Sequence, residues 1–346
     1  MRVALWVYGD LGQPTGGYVY DRIVVDGLRA AGDDVHVLDP RTREPPPNDV
    51  DVVIGDALCA PELGALFAGA PSAATTVLLV HHMPSWEVER TDREACRAVE
   101  VSAVGAASEI IATSEATARR LALEYPGRQA VVVPPGADRL PRVGPAPQAD
   151  GEGCLRLLFV GSLVPRKRLP LLLDAVERLG GGSWRLEVIG DPGRDLAHAS
   201  DLRSRVEGSA ILRPRVLFRG VVHDTELAIA LGAADALILP SSLEGYGIVL
   251  GEALAAGLPV IVSRAVADAA QLATDDAALV FGDDAALFDV LRRLSAGPAL
   301  AVAKSRAAAT GPPRTWNAAV ASFRRALTRA AEATRARPPG RGFAPR

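Results

Sequence analysis

Lysine is almost missing from this 346-residue chain: of its 38 basic residues all but Lys167 and Lys304 are arginine. Wherever a generic positive charge was needed the sequence used Arg, so a surviving Lys invites a specific reason. Net charge is equally sparse, at −3 with no long Lys/Arg run, which argues against nucleic acid as a partner. No segment approaches the ~20 uninterrupted apolar residues of a membrane span. The opening run MRVALWVYGDLG is broken at Gly9 and Asp10 before a signal-peptide core could form, so no integral membrane association is expected and the expected location is cytoplasmic. The cysteines number three, far apart and without a Cys-x-x-Cys pair, as suits free or buried thiols in a reducing compartment. The five histidines show neither His-x3-His nor His-Glu-x-x-His spacing, so neither a metal site nor a cofactor is expected.

What the sequence does contain is a repeated alternation of short apolar runs with helical patterns. Arg2 to Val7, Val35 to Leu38, Val52 to Ile54, Thr75 to His81, Ile110 to Ala112 and Ala130 to Val133 read as strands. Between them, helices are expected at Tyr20 to Ala31, Glu87 to Ala106 and Glu115 to Glu124. Runs such as VLLV and VVV are apolar on both faces, as parallel strands covered by helices require. The stretch from Pro141 to Gly153 holds three prolines and three glycines with no aliphatic run and reads as a linker. The pattern then restarts, with strands expected at Leu155 to Val160, Leu186 to Gly190, Val216 to Gly220, Ala234 to Pro240 and Pro259 to Ser263 and helices at Leu171 to Leu179 and Leu250 to Ala256.

The expected organisation is therefore an α/β chain of two Rossmann-like domains with parallel sheets facing a cleft. The first covers residues 1–142, a linker covers 143–153, and the second domain covers 154–312. A helix over 313–334 is expected to return to the first domain, and the Pro/Gly/Arg-rich residues 335–346 to be a disordered tail. Residues 1–142 carry 13 arginines, no lysine and 20 acidic residues, a net of −7. The remainder is mildly basic and is the better host for an anion.

The most informative segment is ADALILPSSLEGYGIVLGEALAAGLPVIVS, Ala234 to Ser263. A buried strand ends at Pro240, a loop carries Gly245 and Gly247, and a helix begins near Ile248. In an open parallel sheet, ligands bind where a strand's carboxyl end feeds a helix N-terminus. Free N–H groups and the positive end of the helix suit a phosphate there, and glycines let it approach the backbone. Glu244 and Glu252, eight positions apart, would flank such a phosphate and accept hydrogen bonds from hydroxyls.

This strand-loop-helix resembles the P-S-x-x-E-G-Y-G-x-x-x-x-E-A signature of the retaining, nucleotide-sugar-dependent glycosyltransferases of family 4, the glycosyl transferases group 1. The resemblance implies the GT-B fold. VGSLVPRKRLPLLLDAV (Val160 to Val176) is similar to the family's phosphate-binding loop, with Lys167 at its Lys position. Ser162 stands where the family has Arg, leaving Arg166 or Arg168 to supply that charge. In PTGGYVYD, Gly16 and Gly17 match a Gly-Gly loop near the donor, and HHMP supplies a His near the transferred sugar. His-x-Pro spacing favours His82 for that place over His81.

By this resemblance the second domain binds a nucleotide diphosphate sugar as substrate. Lys167 and the backbone of Gly245, Tyr246, Gly247, Ile248 and Val249 would hold the diphosphate, Glu252 the ribose and Glu244 the sugar. His82, Lys167 and Glu244 are the expected catalytic residues. Tyr18, Asp21 and His81 are acceptor-side candidates. The implied reaction is metal-independent, retaining hexosyl transfer to a hydroxyl of a soluble small-molecule or saccharide acceptor. A nucleotide-sugar-binding protein without transfer activity and a same-fold epimerase are the alternatives.

Overall fold

The computed structural model describes residues 1–42, 44–141, 153–272, 278–311 and 313–336. The linker expected over 143–153 lies outside the described residues except for Gly153, as does the expected tail beyond Ala336.

Two six-stranded sheets, parallel throughout, organise the chain. The first contains β1 (Arg2–Trp6), β2 (Asp34–Leu38), β3 (Val52–Asp56), β4 (Thr75–Val80), β5 (Glu109–Ala112) and β6 (Val131–Val132), in the order β2-β1-β3-β4-β5-β6. The second contains β7 (Leu155–Val160), β8 (Trp184–Ile189), β9 (Val216–Gly220), β10 (Ala236–Leu239), β11 (Val260–Ser263) and β12 (Ala278–Phe281), in the order β12-β11-β10-β7-β8-β9. Strands β3, β4, β10 and β11 are buried at every residue, because helices cover both sheet faces.

Each sheet has a place where consecutive connections leave in opposite directions, and the crevice at the strands' carboxyl ends there is the ligand position of such folds. In the first sheet it lies between β1 and β3, and in the second between β7 and β10. The first crevice receives the loop into helix Gly16–Ala30 and the end of β3. The second receives the Gly161–Lys167 loop from β7 and the Pro240–Gly247 loop from β10.

Two sequence expectations shift. The first helix begins at Gly16, a turn before Tyr20, after Thr15 in extended conformation. Its apolar periodicity starts only at Tyr18, so pattern alone missed the two glycines. The helix expected from Glu87 begins at Arg93; Pro84–Trp86 form a short 3-10 turn and Glu87 is extended. That irregular stretch frees Glu87 to reach His82 and Arg166.

Helix Trp316–Arg335 packs on the first sheet rather than the second. Trp316 and Phe323 stack edge-on against Tyr20, with centroids 5.8 and 6.2 Å away, and Tyr20 donates its hydroxyl to the Val133 carbonyl at 2.9 Å. Phe323 is fully buried among Val3, Val24, Leu28 and Leu79. Truncating it, Phe323→Ala, should destabilise the first sheet's half by about 3–5 kcal/mol, read as a lowered urea midpoint. A change under about 1 kcal/mol would show that the helix is not part of that core.

Candidate functional site

The two loops at the β7/β10 crevice meet through an ion pair. Lys167 ends a short 3-10 turn, Pro165–Lys167, and its Nζ donates to Glu244 Oε1 at 2.5 Å. Its stem crosses Gly161, where a Cβ would lie 3.3 Å from Lys167 Cε. Gly161 in turn is overlain by Gly190, whose Cβ would sit 1.9 Å from the Gly161 carbonyl oxygen, so this loop packs backbone to backbone. Ser241 Oγ also donates to Glu244 Oε1, at 2.7 Å.

Both partners of the pair are nearly dry, with 12% and 8% of their side chains exposed. Burial opposes ionisation of Glu244, yet Lys167, Arg166 and the Ser241 hydroxyl outweigh it and hold the carboxyl down at about 2. Burial draws the Lys167 ammonium below its usual value against the pull of Glu244. Arg166 adds charge on the other side, its NH1 3.9 Å from Glu244 Oε2 and its Nε 3.2 Å from Glu87 Oε1.

Beyond Glu244 the chain turns through Gly247 (φ 83°), a left-handed conformation suited to glycine, into helix Ile248–Ala255. This helix begins just past the β10 loop, at the same crevice, where the leading N–H groups of a helix suit an anion. Gly245 lies against the other half of the molecule: a Cβ there would be 2.2 Å from the His81 carbonyl oxygen. Thr117 Oγ1 donates to the Gly245 carbonyl at 3.4 Å, and Ser242 Oγ to Glu89 Oε1 at 2.6 Å.

The facing wall comes from the first sheet. His81 follows β4, with Nε2 2.9 Å from Asp21 Oδ1. Gly17 lies on its ring, where a Cβ would be 3.2 Å from Cδ2, and a Cβ at Gly16 would be 3.9 Å from Ile248 Cδ1. Burial works against a charged His81, but the Asp21 and Asp56 carboxylates outweigh it and raise its pKa. His82 turns the other way, with Nε2 3.0 Å from Glu87 Oε1. Burial, helped by Arg166, lowers its pKa despite Glu87.

Known proteins resemble this chain. Residues 154–296 match the family model described as Glycosyl transferases group 1. The D-inositol 3-phosphate glycosyltransferase of Mycobacterium leprae is 32% identical over 232 residues, covering 64% of this chain and 53% of that protein. Its counterpart from Geodermatophilus obscurus is 33% identical over 267 residues, covering 70% of this chain and 58% of that protein. The chain belongs to the glycosyl transferases group 1 family. It spans about half the length of the curated relatives it matches. Two solved structures show its GT-B fold. Sucrose-phosphate synthase from Thermosynechococcus elongatus has a TM-score of 0.79 at 20% identity, covering 96% of this chain and 100% of that one. Anabaena HepE, solved in complex with UDP and glucose, has a TM-score of 0.67 at 18% identity, covering 96% and 98%.

In this group 1 family member the fold gathers Gly16, Gly17, His81, Lys167, Glu244, Gly245 and Gly247 at one junction. His82 joins it through Glu87 and Arg166. Between the two arginines left open by Ser162, it is Arg166 that lies beside Glu244. Arg168 sits in a left-handed conformation (φ 51°) and pairs with Asp284 at 2.7 Å. Ser162 makes no side-chain hydrogen bond among the described residues. Tyr246 is partly buried, and burial raises its pKa. Tyr18 is buried in the first half's core with its hydroxyl on the Tyr8 carbonyl at 2.9 Å, so it offers no free donor to the cleft.

Glu252 lies in the second turn of its helix and is 3% exposed. Burial raises its pKa, and Arg139 opposes the rise, its Nε 2.8 Å from Glu252 Oε1. Arg139 also pairs with Asp224. It had no signal in the sequence, since it stands 113 positions from Glu252 and outside any motif. Asp56 and Glu87 were also missed. Asp56 ends β3 beside Asp21 and His81, and one ligand atom from each of the three lies within 4.8 Å of the others. Among the described residues these three make the one compact set able to ligate a metal. No described helix is long and apolar enough to cross a membrane.

Proposed function

We propose that the protein is a retaining glycosyltransferase, moving a sugar from a nucleoside diphosphate sugar to a hydroxyl of a small soluble or saccharide acceptor. The observation that carries this reading is the buried Lys167–Glu244 pair at the β7/β10 crevice, beside a helix N-terminus that Gly247 opens. In the proposed complex the diphosphate lies on Lys167, Arg166 and the Gly245–Val249 backbone. Negative charge grows on the leaving phosphate as the sugar bond breaks, and preset cations and N–H groups stabilise it most at that moment.

Glu244, kept ionised, accepts hydrogen bonds from sugar hydroxyls. Glu252 has its Oε1 committed to Arg139 and keeps Oε2 without a hydrogen bond among the described residues, available to a ribose hydroxyl. His81, between Gly17 and Gly245, takes the place beside the sugar. We prefer it to the His82 expected from spacing because Gly17 and Gly245 both lie against His81. No step needs a metal: the donor phosphate itself draws the proton from the acceptor as the new bond forms on the same face. Residues of both halves line the reacting centre, so closure around the donor would exclude water that otherwise hydrolyses it.

Screening UDP-, GDP-, ADP- and dTDP-sugars for binding, slow donor hydrolysis and transfer to cyclitol and sugar acceptors tests this. At least one donor should bind and yield an acceptor glycoside with the anomeric configuration retained. Binding without transfer to any acceptor would favour a silent sugar-nucleotide-binding protein. A free sugar product formed equally without acceptor would favour an epimerase.

A further inference from the structure

The crevice of the first sheet holds a second cluster of buried charge, of which the proposed site uses only His81. Asp21 comes from helix Gly16–Ala30, Asp56 from the end of β3 and His81 from the residue after β4. Both carboxyls are 1% exposed and His81 8%. Asp21 Oδ1 accepts from His81 Nε2, while Asp21 Oδ2 is buried without a hydrogen-bond partner among the described residues. Asp56 Oδ1 accepts from the Leu58 N–H at 2.8 Å. Two buried carboxylates this close cannot both stay ionised cheaply, and a proton on one supplies the donor that the other lacks.

We propose that Asp21 and Asp56 share one buried proton and, as a single negative charge, act as positioning residues that fix the His81 ring with Nε2 engaged and Nδ1 turned to the reacting centre. Asp21 accepts from Nε2–H, which leaves Nδ1 as the working nitrogen, in the manner of a carboxylate that sets an imidazole's tautomer. The ring cannot swing away, because Gly17 lies on its Cδ2 edge and Tyr20 meets it edge-on with centroids 5.2 Å apart. Nδ1 makes no hydrogen bond among the described residues and is free to meet a sugar or acceptor hydroxyl.

Electrostatics agree. Burial and the neighbouring Asp21 push the Asp56 carboxyl up to about 7. Tyr18, Tyr20, Cys59 and His82 are the other titratable groups around the cluster. Burial holds each of them toward its neutral form. Asp56 therefore adds its charge beside Asp21 as pH rises through about 7, tightening the hold on an imidazolium.

This inference rests on the transfer reading for its role in catalysis, but one arm of its test needs no substrate. Long-range proton–nitrogen NMR of the labelled full chain would follow the His81 tautomer and titration in wild type, Asp21→Asn and Asp56→Asn. Asp21→Asn should lower the His81 titration by about one pH unit or more and lose the Nε2–H tautomer; with an accepted donor, kcat should fall at least about 30-fold while donor KM stays within about twofold. Asp56→Asn, whose amide hydrogen replaces the shared proton, should erase the inflection near pH 7 in both the His81 titration and kcat. If Asp21→Asn does not fold, the Asp56→Asn titration alone decides. An unchanged His81 titration in the folded variants overturns the proposal, as does stoichiometric metal in the purified protein that Asp21→Asn removes. If no donor is accepted, the transfer reading fails while the titrations still judge the carboxyl pair.

Discussion

Lys167→Ala should weaken binding of the nucleoside diphosphate sugar about 100-fold or more, measured calorimetrically and as kcat/KM. The ammonium is the nearest cation to Glu244 and lies over Gly161 at the mouth of the crevice. Removing it deletes an attraction for the diphosphate and also leaves a buried carboxylate without its partner. Truncating one side of a buried, hydrogen-bonded charge pair costs about 2–5 kcal/mol, and about 1.4 kcal/mol is tenfold in affinity. Arg166, 3.9 Å from Glu244, softens the loss without replacing it. Lys167→Arg keeps the charge but must fit a planar fork where Gly161 leaves room for a slim stem, so it should recover only part of the affinity.

The same variant changes the acid limb of stability. In wild type the Glu244 carboxyl sits at about 2, below its ordinary 4.5, so the pair's stabilisation is present above pH 4.5 and is lost as pH falls toward 2. Without Lys167, burial dominates and that loss should begin at higher pH. Wild-type donor affinity in Lys167→Ala would remove the main support for the transfer reading.

Lys167 also shows how far composition and motif carry. Scarcity singled out two lysines, and the structure gives both a buried carboxylate partner: Lys304 Nζ lies 2.5 Å from Asp235 Oδ1, tying helix Pro298–Ala308 to the start of β10. The motif around Lys167 marked it as a ligand candidate, whereas nothing local marked Lys304. Strands were legible because burial on both faces demands unbroken apolar runs such as TTVLLV, buried at all six positions. Helices Leu196–Gly208 and Asp224–Ala233 were not legible, since neither presents a strong apolar stripe and their boundaries rest on Asp195 and His223 caps.

Within the site, local signals found what local structure encodes: the glycines of both loops, and Glu244 and Glu252 on one strand-loop-helix. They did not find the groups that topology alone brings in. Arg139 reaches Glu252 from the first half's exit, and Asp56 reaches Asp21 because β3 neighbours β1 in the sheet. The choice between His81 and His82 depends on which side of the chain each faces just after β4, and a His-x-Pro spacing carries no information about that.

A single methyl group at Gly245 should be as damaging as the loss of a charge. In Gly245→Ala the new Cβ would lie 2.2 Å from the His81 carbonyl oxygen and 2.9 Å from its carbon. Those atoms are backbone, held by the strand that precedes them and by the neighbouring helix, so no side-chain rotation relieves the overlap. The two loops must separate instead, and with them the junction that joins the halves: Thr117 to the Gly245 carbonyl, Ser242 to Glu89, and Arg166 to Glu87. A misplacement of about 1 Å between reacting groups costs about 100-fold in rate. Gly245→Ala should therefore lower kcat/KM by about 100-fold or more. Each half keeps its own core, so far-UV circular dichroism should be unchanged. Gly282→Ala, where a Cβ meets nothing within 4 Å, is the matched control and should leave kcat/KM unaltered. Equal activity in both variants would mean that the two halves do not meet at Gly245 during turnover. A loss confined to Gly245→Ala, with donor binding to the second half's loop largely retained, would place the cost in bringing His81 and the Gly16–Gly17 loop onto the sugar, because the three atoms nearest the new methyl all belong to the His81 backbone.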